Sequence, residues 1–175
     1  MSASNVYENA PLGSLINYGD DAPKPPARFT KRLAAWEGRN GVGRLVKKTP
    51  PREHETWPSP AAITLHEGNF SSGSIILVTV RRTHSIDSDL IFKIIERPAI
   101  GMVRVLQVYD GNIELLHLAD NREAAELWLI KSGSSHTVLE EVTADEVGAD
   151  VVEGRTAAGS ASPSPSSPQQ PGVAP

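Results

Sequence analysis

The stretch MVRVLQVYDGNIELLHL, residues 102–118, carries the clearest fold signal in the chain. Its two halves are rich in β-branched and other large apolar residues, and Asp110-Gly111 lies between them. Such a pair is typical of a two-residue hairpin loop, because a type I′ turn needs a positive φ at both central positions. The stretch therefore predicts an antiparallel hairpin in which Arg104 lies opposite His117.

Four further segments extend the hairpin into a sheet. Ile63–Glu67 alternates weakly between apolar and polar residues, whereas Ser74–Arg82 and Leu90–Glu96 are apolar on both faces. A strand that is apolar on both faces is expected to lie inside a sheet that is covered on both sides. With Thr137–Val142 as a last strand, the sequence predicts a mostly antiparallel sheet of about five to six strands.

Two segments have helical patterns. Phe29–Glu37 carries its large apolar residues on one face, and Thr30 is its predicted N-cap. Asp120 is the predicted N-cap of a second helix, which covers 120–132. One or two helices packed on a mostly antiparallel sheet define an α+β fold class.

The chain divides into one predicted domain and two flanking segments. The first segment is rich in Pro and Gly, and the last has no charged side chain from Thr156 onward. Segments of this composition bury too little apolar surface to offset the entropy cost of ordering. The predicted boundaries are a flexible or partly docked N-terminal arm over 1–27, a compact α+β domain over 28–153 and a disordered tail rich in Ser, Pro and Ala over 154–175. Within the domain, the predicted parts are a basic helix-loop over 28–52, a β-rich part over 61–118 and a helix over 120–132.

The charge of the chain is strongly divided, although its net value is only −4. Residues 24–52 contain nine Lys and Arg and one acidic residue, Glu37, which is a net charge of +8. Residues 53–175 have a net charge of −9. This division indicates either an anionic partner for the basic segment or a basic segment that docks on the acidic body of the same chain.

The basic segment predicts a nucleic-acid interface, with DNA or RNA as the partner. Its cations are suited to phosphates, and Trp36 is suited to stacking on a base. No zinc-finger, RRM, KH, basic-zipper or helix-turn-helix pattern supports a more specific assignment. The predicted nucleic-acid-binding residues are Arg28, Lys31, Arg32, Trp36, Arg39, Arg44, Lys47 and Lys48.

Two other function classes stay open. The protein is alternatively a protein–protein interaction module, or a small regulator or inhibitor, that uses its sheet edge or its acidic surface. It is alternatively an enzyme without a recognisable motif. Salt-dependent binding of oligonucleotides discriminates the nucleic-acid hypothesis from the protein-partner hypothesis.

Catalytic and cofactor motifs are missing from the sequence. The chain has no cysteine, which excludes a disulfide-linked partner, thiolate metal ligands and a cysteine nucleophile. The Walker spacing, Gly-x-Gly-x-x-Gly, His-Glu-x-x-His and Gly-x-Ser-x-Gly do not occur. The pattern of His84, Asp87 and Asp89 is better explained by turn geometry than by a metal. We therefore predict no catalytic residue, no cofactor and no metal, and we favour a non-catalytic accessory protein.

Nothing in the sequence points to a membrane or to secretion. Apolar runs contain at most four residues, as in Ile75–Val78, whereas a membrane-spanning helix needs roughly 20. Residues 1–10 lack the basic region and the apolar core of a secretory signal. We therefore expect a small soluble protein with a cytoplasmic location and no membrane partner.

Overall fold

All strand pairings in the sheet are antiparallel. The computed structural model describes residues 1–52, 58–72 and 75–144. Within these residues it contains eight strands and three helices, an α+β arrangement. In chain order the elements are α1 (Ala3–Asn9), β1 (Leu15–Gly19), α2 (Thr30–Arg39), β2 (Gly41–Thr49), β3 (Ala62–Ser72), β4 (Ile75–Ser85), β5 (Ile91–Glu96), β6 (Val103–Tyr109), β7 (Asn112–Ala119), α3 (Arg122–Ser132) and β8 (Thr137–Glu141).

The predicted count of five to six strands is too low, because two strands come from segments without a clear β pattern. β1 lies in the predicted arm 1–27, and β2 lies in the predicted helix-loop 28–52. Gly43 lies inside β2, where the neighbouring strand approaches its backbone closely. A Cβ atom on Gly43 would lie 2.8 Å from the Cβ atom of Leu65.

The sheet branches at β2. One edge of β2 pairs with β3, which pairs with β4. The other edge pairs first with β1, at Gly41–Arg44, and then with β7, where Lys47 lies opposite Glu114. β1 continues to β5, and β7 continues to β6 and β8. β4 is therefore an edge strand and not the central strand that the apolar run in Ser74–Arg82 predicts, and its Val78 is exposed.

The main core lies between α1 and the sheet strands β1, β2, β3 and β5. The segment 1–27, predicted as a flexible or partly docked arm, supplies Ala3, Val6 and Ala10 to this core. The amine of Met1 also donates a hydrogen bond to the Phe92 carbonyl, at 3.0 Å. The buried residues of the main core are Ala3, Val6, Ala10, Ile16, Tyr18, Leu45, Ile63, Leu65, Leu90 and Phe92.

α3 covers one face of the second branch, formed by β6, β7 and β8. Ala125 of α3 packs with Val103 and Val105 of β6 in a second buried cluster. The N-cap of α3 is Asn121, whose side chain accepts a hydrogen bond from the Ala124 amide at 2.9 Å. The cap therefore lies one residue later than the predicted one. The sequence places an Asp and an Asn side by side, and both residue types are strong N-caps.

The β6–β7 hairpin confirms the predicted turn, since Asp110 and Gly111 have φ values of 49° and 71°. A bulge in β7 shifts the register, so that Arg104 lies opposite Leu118 and not opposite His117. The predicted Arg104–His117 pair is wrong because one extra residue turns every later side chain to the other face. Arg104 instead lies opposite Glu140 of β8 and forms an ion pair with it at 2.6 Å.

The described part of the chain ends shortly after β8. The backbone of Val142 still pairs with Met102, and its side chain is buried. The predicted tail, 154–175, lies outside the described residues. Among the described helices, none is both long and apolar enough to cross a membrane.

Candidate functional site

α2 stands on the surface of the protein, and none of its residues is buried. It is held at its C-terminal end by hydrogen bonds. The indole nitrogen of Trp36 donates to the Ala22 carbonyl at 2.7 Å, and Arg82 donates to the Gly38 carbonyl. The side-chain nitrogen of Asn40 donates to the Trp36 carbonyl at 3.0 Å. The first turns of α2 are therefore left facing solvent.

The start of α2 and the residues before it form a group of four cations and two aromatic rings, which we name the α2 basic surface. The ammonium of Lys24 lies 5.5 Å from the centroid of the Trp36 ring. The guanidinium carbons of Arg28 and Arg32 lie 4.8 and 5.7 Å from the centroid of the Phe29 ring. The members of this surface are Lys24, Arg28, Phe29, Lys31, Arg32 and Trp36.

The four cations of the α2 basic surface make no ion pair with any residue in the described ranges. The rings attract Lys24, Arg28 and Arg32, but an aromatic ring carries no net charge. The first turn of α2 has no acidic residue, although an acidic residue there would be favourable beside the helix dipole. The arrangement therefore concentrates positive charge at the end of the helix that already has a positive potential.

Arg39, the predicted site residue at the end of α2, is engaged within the protein. Its guanidinium lies 3.1 Å from the carboxylate of Asp20 and 2.7 Å from that of Asp89. Arg39 holds the pKa of Asp89 below its ordinary value. A hydrogen bond from Asn40 contributes most to lowering the pKa of Asp20. Docking of a basic side chain on acids of the same chain is thus observed for Arg39.

A bulge in β2 places Arg44 and Lys47 on the same face of the sheet. Arg44 lies opposite His66 and Lys47 lies opposite Thr64, with an extra residue in β2 between the two pairs. His66 and Thr64 are two positions apart on β3, so their side chains share a face. We name this side of β2, β3 and β4 the open face, because the main core lies on the other side.

The open face carries a row of basic side chains that crosses three strands. His66 lies opposite Arg44 on one side and opposite Arg81 of β4 on the other. Arg81 forms an ion pair with Glu114, and Glu114 also lies opposite Lys47. Arg44 and Lys47 are therefore brought near each other, but Lys47 has a carboxylate close by.

Lys48 lies apart from the other predicted site residues. Its ammonium is 5.8 Å from the ring centroid of Tyr7 in α1. Burial lowers the pKa of Lys48, and the positive charge of Arg97 lowers it further. The eight predicted residues thus lie in different places. The structure brings together Arg28, Lys31 and Arg32, which are exposed and form no ion pair with a described residue, and Trp36 belongs to the same surface.

A buried polar cluster, which the sequence patterns do not reveal, lies beneath α2. The hydroxyl of Tyr18 donates a hydrogen bond to Glu67, and Arg82 lies 3.1 Å from the same carboxylate. Burial is the main cause that raises the pKa of Tyr18, and the bond to Glu67 adds to it. Because Tyr18 and Glu67 belong to distant strands and to no motif, no sequence signal connects them.

His84 belongs to this cluster. Its ring lies 4.5 Å from Tyr18 and 5.3 Å from Phe92, measured between centroids. Its Nε2 atom is buried and has no hydrogen-bond partner among the described residues. Burial and the charge of Arg82 lower the pKa of His84, so the imidazole is neutral near pH 7. Within the described ranges, no three His, Asp or Glu side chains are arranged to hold a metal ion.

A cavity of about 520 Å³ lies at the seam between the open face and α3, and we name it the seam cavity. One wall is the imidazole of His117 stacked on the indole of Trp128, with ring centroids 5.0 Å apart and planes inclined by 2°. Burial lowers the pKa of His117, so this ring is also neutral near pH 7. The polar residues that line the cavity are Arg44, His66, Asn69, His117 and Asp120.

Residues 1–146 match a family model described as "Uncharacterised conserved protein UCP036055". The chain belongs to this family. The matched residues contain every helix and strand from α1 to β8, together with the α2 basic surface and the seam cavity. No curated protein and no solved structure matches the chain significantly.

Proposed function

We propose that the protein binds DNA or RNA through the α2 basic surface. The observation that supports this proposal most directly is a group of four exposed cations that have no carboxylate partner in the described part of the chain. Phosphates are the natural counter-charge for such a group, since each phosphate neutralised by Lys or Arg releases condensed counterions from the nucleic acid.

The close spacing of the like charges supports an anionic ligand. Arg28 and Arg32 lie on the same ring, at 4.8 and 5.7 Å from its centroid. The two arginines are also four positions apart along the chain, and like charges at this spacing beside a helix repel each other. A phosphate that both groups contact would replace this repulsion with charge-assisted hydrogen bonds.

The two aromatic rings supply a second kind of contact. The side chain of Phe29 is 41% exposed, and Trp36 is half-buried with its indole nitrogen already bonded to Ala22. A partly exposed ring beside cations is suited to stacking on a base, whichever base it is. The surface therefore favours binding with little sequence preference, in which phosphate contacts supply most of the affinity.

The test compares two variants with the same change in charge. Arg28→Glu/Arg32→Glu reverses two cations of the α2 basic surface, and Arg122→Glu/Lys131→Glu reverses two exposed cations of α3. Fluorescence anisotropy with a labelled oligonucleotide at about 50 mM salt should give micromolar binding for the wild type and the α3 variant. The α2 variant should bind at least about tenfold more weakly.

The salt dependence supplies a second measurement. Between about 50 and 200 mM salt, the wild-type affinity should fall steeply, and the α2 variant should show a slope smaller by about 2. A wild type that binds no oligonucleotide at low salt contradicts the proposal. Equal losses in the two charge-reversal variants would also contradict it, because net charge and not this surface would then determine binding.

A protein partner is the second candidate function, and an exposed apolar strip favours it. Val108 lies opposite Ile113, and Leu106 lies opposite Val138, so the four side chains share the face of β6–β8 away from α3. Three of them, Val108, Ile113 and Val138, are exposed. Contiguous exposed apolar residues are typical of interaction surfaces.

Self-association is the simplest case of a protein partner. Sedimentation velocity of the wild type and of Val138→Lys tests it, and a monomeric wild type excludes it.

A further inference from the structure

The seam cavity contains a positive charge that the described residues do not neutralise. Arg44 is half-buried at the cavity wall, and its guanidinium donates a hydrogen bond to the Gly13 carbonyl at 2.6 Å. It forms no ion pair with a described residue. A carbonyl accepts a hydrogen bond but has no net charge, so Arg44 loses part of its hydration without gaining a counter-ion.

The neighbouring Arg81 provides a comparison for Arg44, because Arg81 forms an ion pair and Arg44 forms none with a described residue. Both residues belong to the same row on the open face, one on each side of His66. Arg81 forms an ion pair with Glu114 and does not line the cavity. The arginine outside the cavity therefore has a carboxylate within ion-pair distance, whereas no described carboxylate lies within that distance of the arginine inside it.

Further polar residues line the cavity beside Arg44. His66 lies directly opposite Arg44, and residues so placed on one face have Cβ atoms about 5 Å apart. The His66 Nε2 atom is hydrogen-bonded to the side-chain oxygen of Asn69 at 2.9 Å. This bond orients the imidazole and leaves the amide nitrogen of Asn69 as a donor. The cavity lining thus includes an arginine and an asparagine amide.

The rest of the cavity lining is largely apolar. It includes Trp128, stacked on His117, together with Met102, Leu115 and Leu118. The volume of about 520 Å³ lies within the range of sites that bind small molecules. A lining that contains both a guanidinium and a flat indole ring fits a ligand with an anionic group and an aromatic body.

One carboxylate also lines the cavity. Asp120 is exposed, and its charge acts on His117, whose pKa it tends to raise. A second anionic group of the ligand, if it lay near Asp120, would be repelled by this carboxylate. The site therefore favours a ligand with a single anionic group over a polyanion.

We infer that the seam cavity binds a small organic anion, with a phosphate monoester or carboxylate group at Arg44 and an aromatic body against Trp128. This site is separate from the α2 basic surface, and its existence does not depend on nucleic-acid binding. Free metabolites and the terminal nucleotide of a strand share this chemistry, so the experiment uses ligands of both kinds.

The experiment is isothermal titration calorimetry with the full chain. The ligands are adenosine 5′-monophosphate, indole-3-acetate, inorganic phosphate, adenosine and a dinucleotide with a 5′-phosphate. Adenosine 5′-monophosphate or indole-3-acetate should bind, whereas inorganic phosphate and adenosine alone should bind at least about tenfold more weakly, since each provides only one of the two contacts. Tighter binding of the dinucleotide than of the mononucleotide identifies a strand end as the source of the anion.

Two arginine variants separate the site from general charge effects. Arg44→Gln should weaken binding by roughly 10- to 100-fold, as expected for losing a charge-assisted hydrogen bond to an anion. The matched variant Arg81→Gln, on the same face but outside the cavity, should bind like the wild type.

Trp128→Leu tests the aromatic contact separately. This variant keeps Arg44 and should remove the advantage of the aromatic ligands over inorganic phosphate, so the test stays decisive if Arg44→Gln does not fold.

The inference is overturned by any of three results. The first is that neither aromatic anion binds at millimolar concentration. The second is that Arg44→Gln and Arg81→Gln weaken binding equally. The third is that Trp128→Leu leaves the relative affinities of the aromatic anions and inorganic phosphate unchanged. None of these results depends on whether the α2 variants bind oligonucleotides, so the two proposals fail separately.

Discussion

Arg104 and Arg28 carry the same charge but differ in their exposure and in the groups that they contact. Arg104 is 3% exposed, forms an ion pair with Glu140 and donates to the Leu12 carbonyl at 2.9 Å. Arg28 is exposed and contacts the ring of Phe29. Arg104 links β6, β8 and the N-terminal segment, whereas Arg28 forms no ion pair with a described residue. The positive charge of Arg104 thus stabilises a junction of the sheet, and that of Arg28 stays exposed beside α2.

The region around β2 and the helix α2 also differ in burial and in their attachment to the rest of the protein. β2 pairs with β1, β3 and β7, and its residues Gly43, Leu45 and Val46 are buried. α2 has no buried residue and is attached mainly at its C-terminal end. Changes near the junctions should therefore alter stability, and changes in α2 should alter binding. Three predictions test this difference, beginning with the largest expected effect.

Arg104→Ala should be the most destabilising change, by about 3 kcal/mol, because it removes one partner of an ion pair at a buried position. Glu140 is 49% exposed and regains part of its hydration, which keeps the cost at the lower end for such pairs. Urea denaturation measures the effect. The exposed Arg28→Ala is the matched control and should change the free energy of unfolding by less than about 0.5 kcal/mol. Similar values for the two variants would remove the distinction between the regions.

Two glycine substitutions should have opposite signs. Gly43→Ala brings a Cβ atom to 2.8 Å from the Leu65 Cβ and 3.1 Å from the His66 carbonyl oxygen. Since backbone and Cβ atoms cannot move aside, we expect a loss of about 1–3 kcal/mol. Gly38→Ala meets no atom within 4 Å and lies inside α2, so it should stabilise the protein by up to about 1 kcal/mol. Thermal denaturation of both variants measures the signs, and a destabilised Gly38→Ala would contradict the idea that α2 is loosely surrounded.

The buried His84 should make stability depend on pH. Its pKa in the folded protein is lowered from the ordinary value of 6.5, first by burial and then by Arg82. Between the lowered pKa and 6.5 the unfolded chain binds more protons, so the free energy of unfolding should fall as pH decreases below about 6.5 and level off below the folded pKa. His117 has a pKa lowered in the same direction and adds to this slope.

The contribution of His84 is isolated by comparison with His84→Phe, which keeps an aromatic ring between Tyr18 and Phe92. Denaturation midpoints measured near pH 7.5 and near pH 5 should differ less in this variant than in the wild type. His117→Phe serves as the second arm, because it removes the other lowered pKa on the α3 side of the molecule. An unchanged pH dependence in His84→Phe would show that the buried imidazole does not titrate with unfolding.

Local patterns were enough to predict the elements whose own sequence favours them. Asp110-Gly111 accepts positive φ at both positions, so the β6–β7 turn follows from two residues. The helix after Asn121 follows from its cap and from Gly133, which adopts φ of 62°. The basic character of 24–52 also follows from composition.

Sequence alone did not predict the features that depend on residues far apart in the chain. β1, β2 and α1 were missed because their burial depends on contacts with β3 and β5, which no local pattern encodes. The extra residue in β2 that brings Arg44 and Lys47 to one face is visible only in the strand register. The shift in β7 that separates Arg104 from His117 has the same origin.

By itself, then, the sequence determined an α+β chain with one strong hairpin, a capped helix and a concentrated positive charge. Only the tertiary structure decided which cations are paired. A carboxylate neutralises an arginine when the fold brings the two within a few ångströms, and that distance depends on strand order and register. Asp89 reaches Arg39 and Glu114 reaches Arg81, whereas among the described residues no carboxylate reaches Arg28 or Arg44. The two proposed sites lie where this neutralisation is missing.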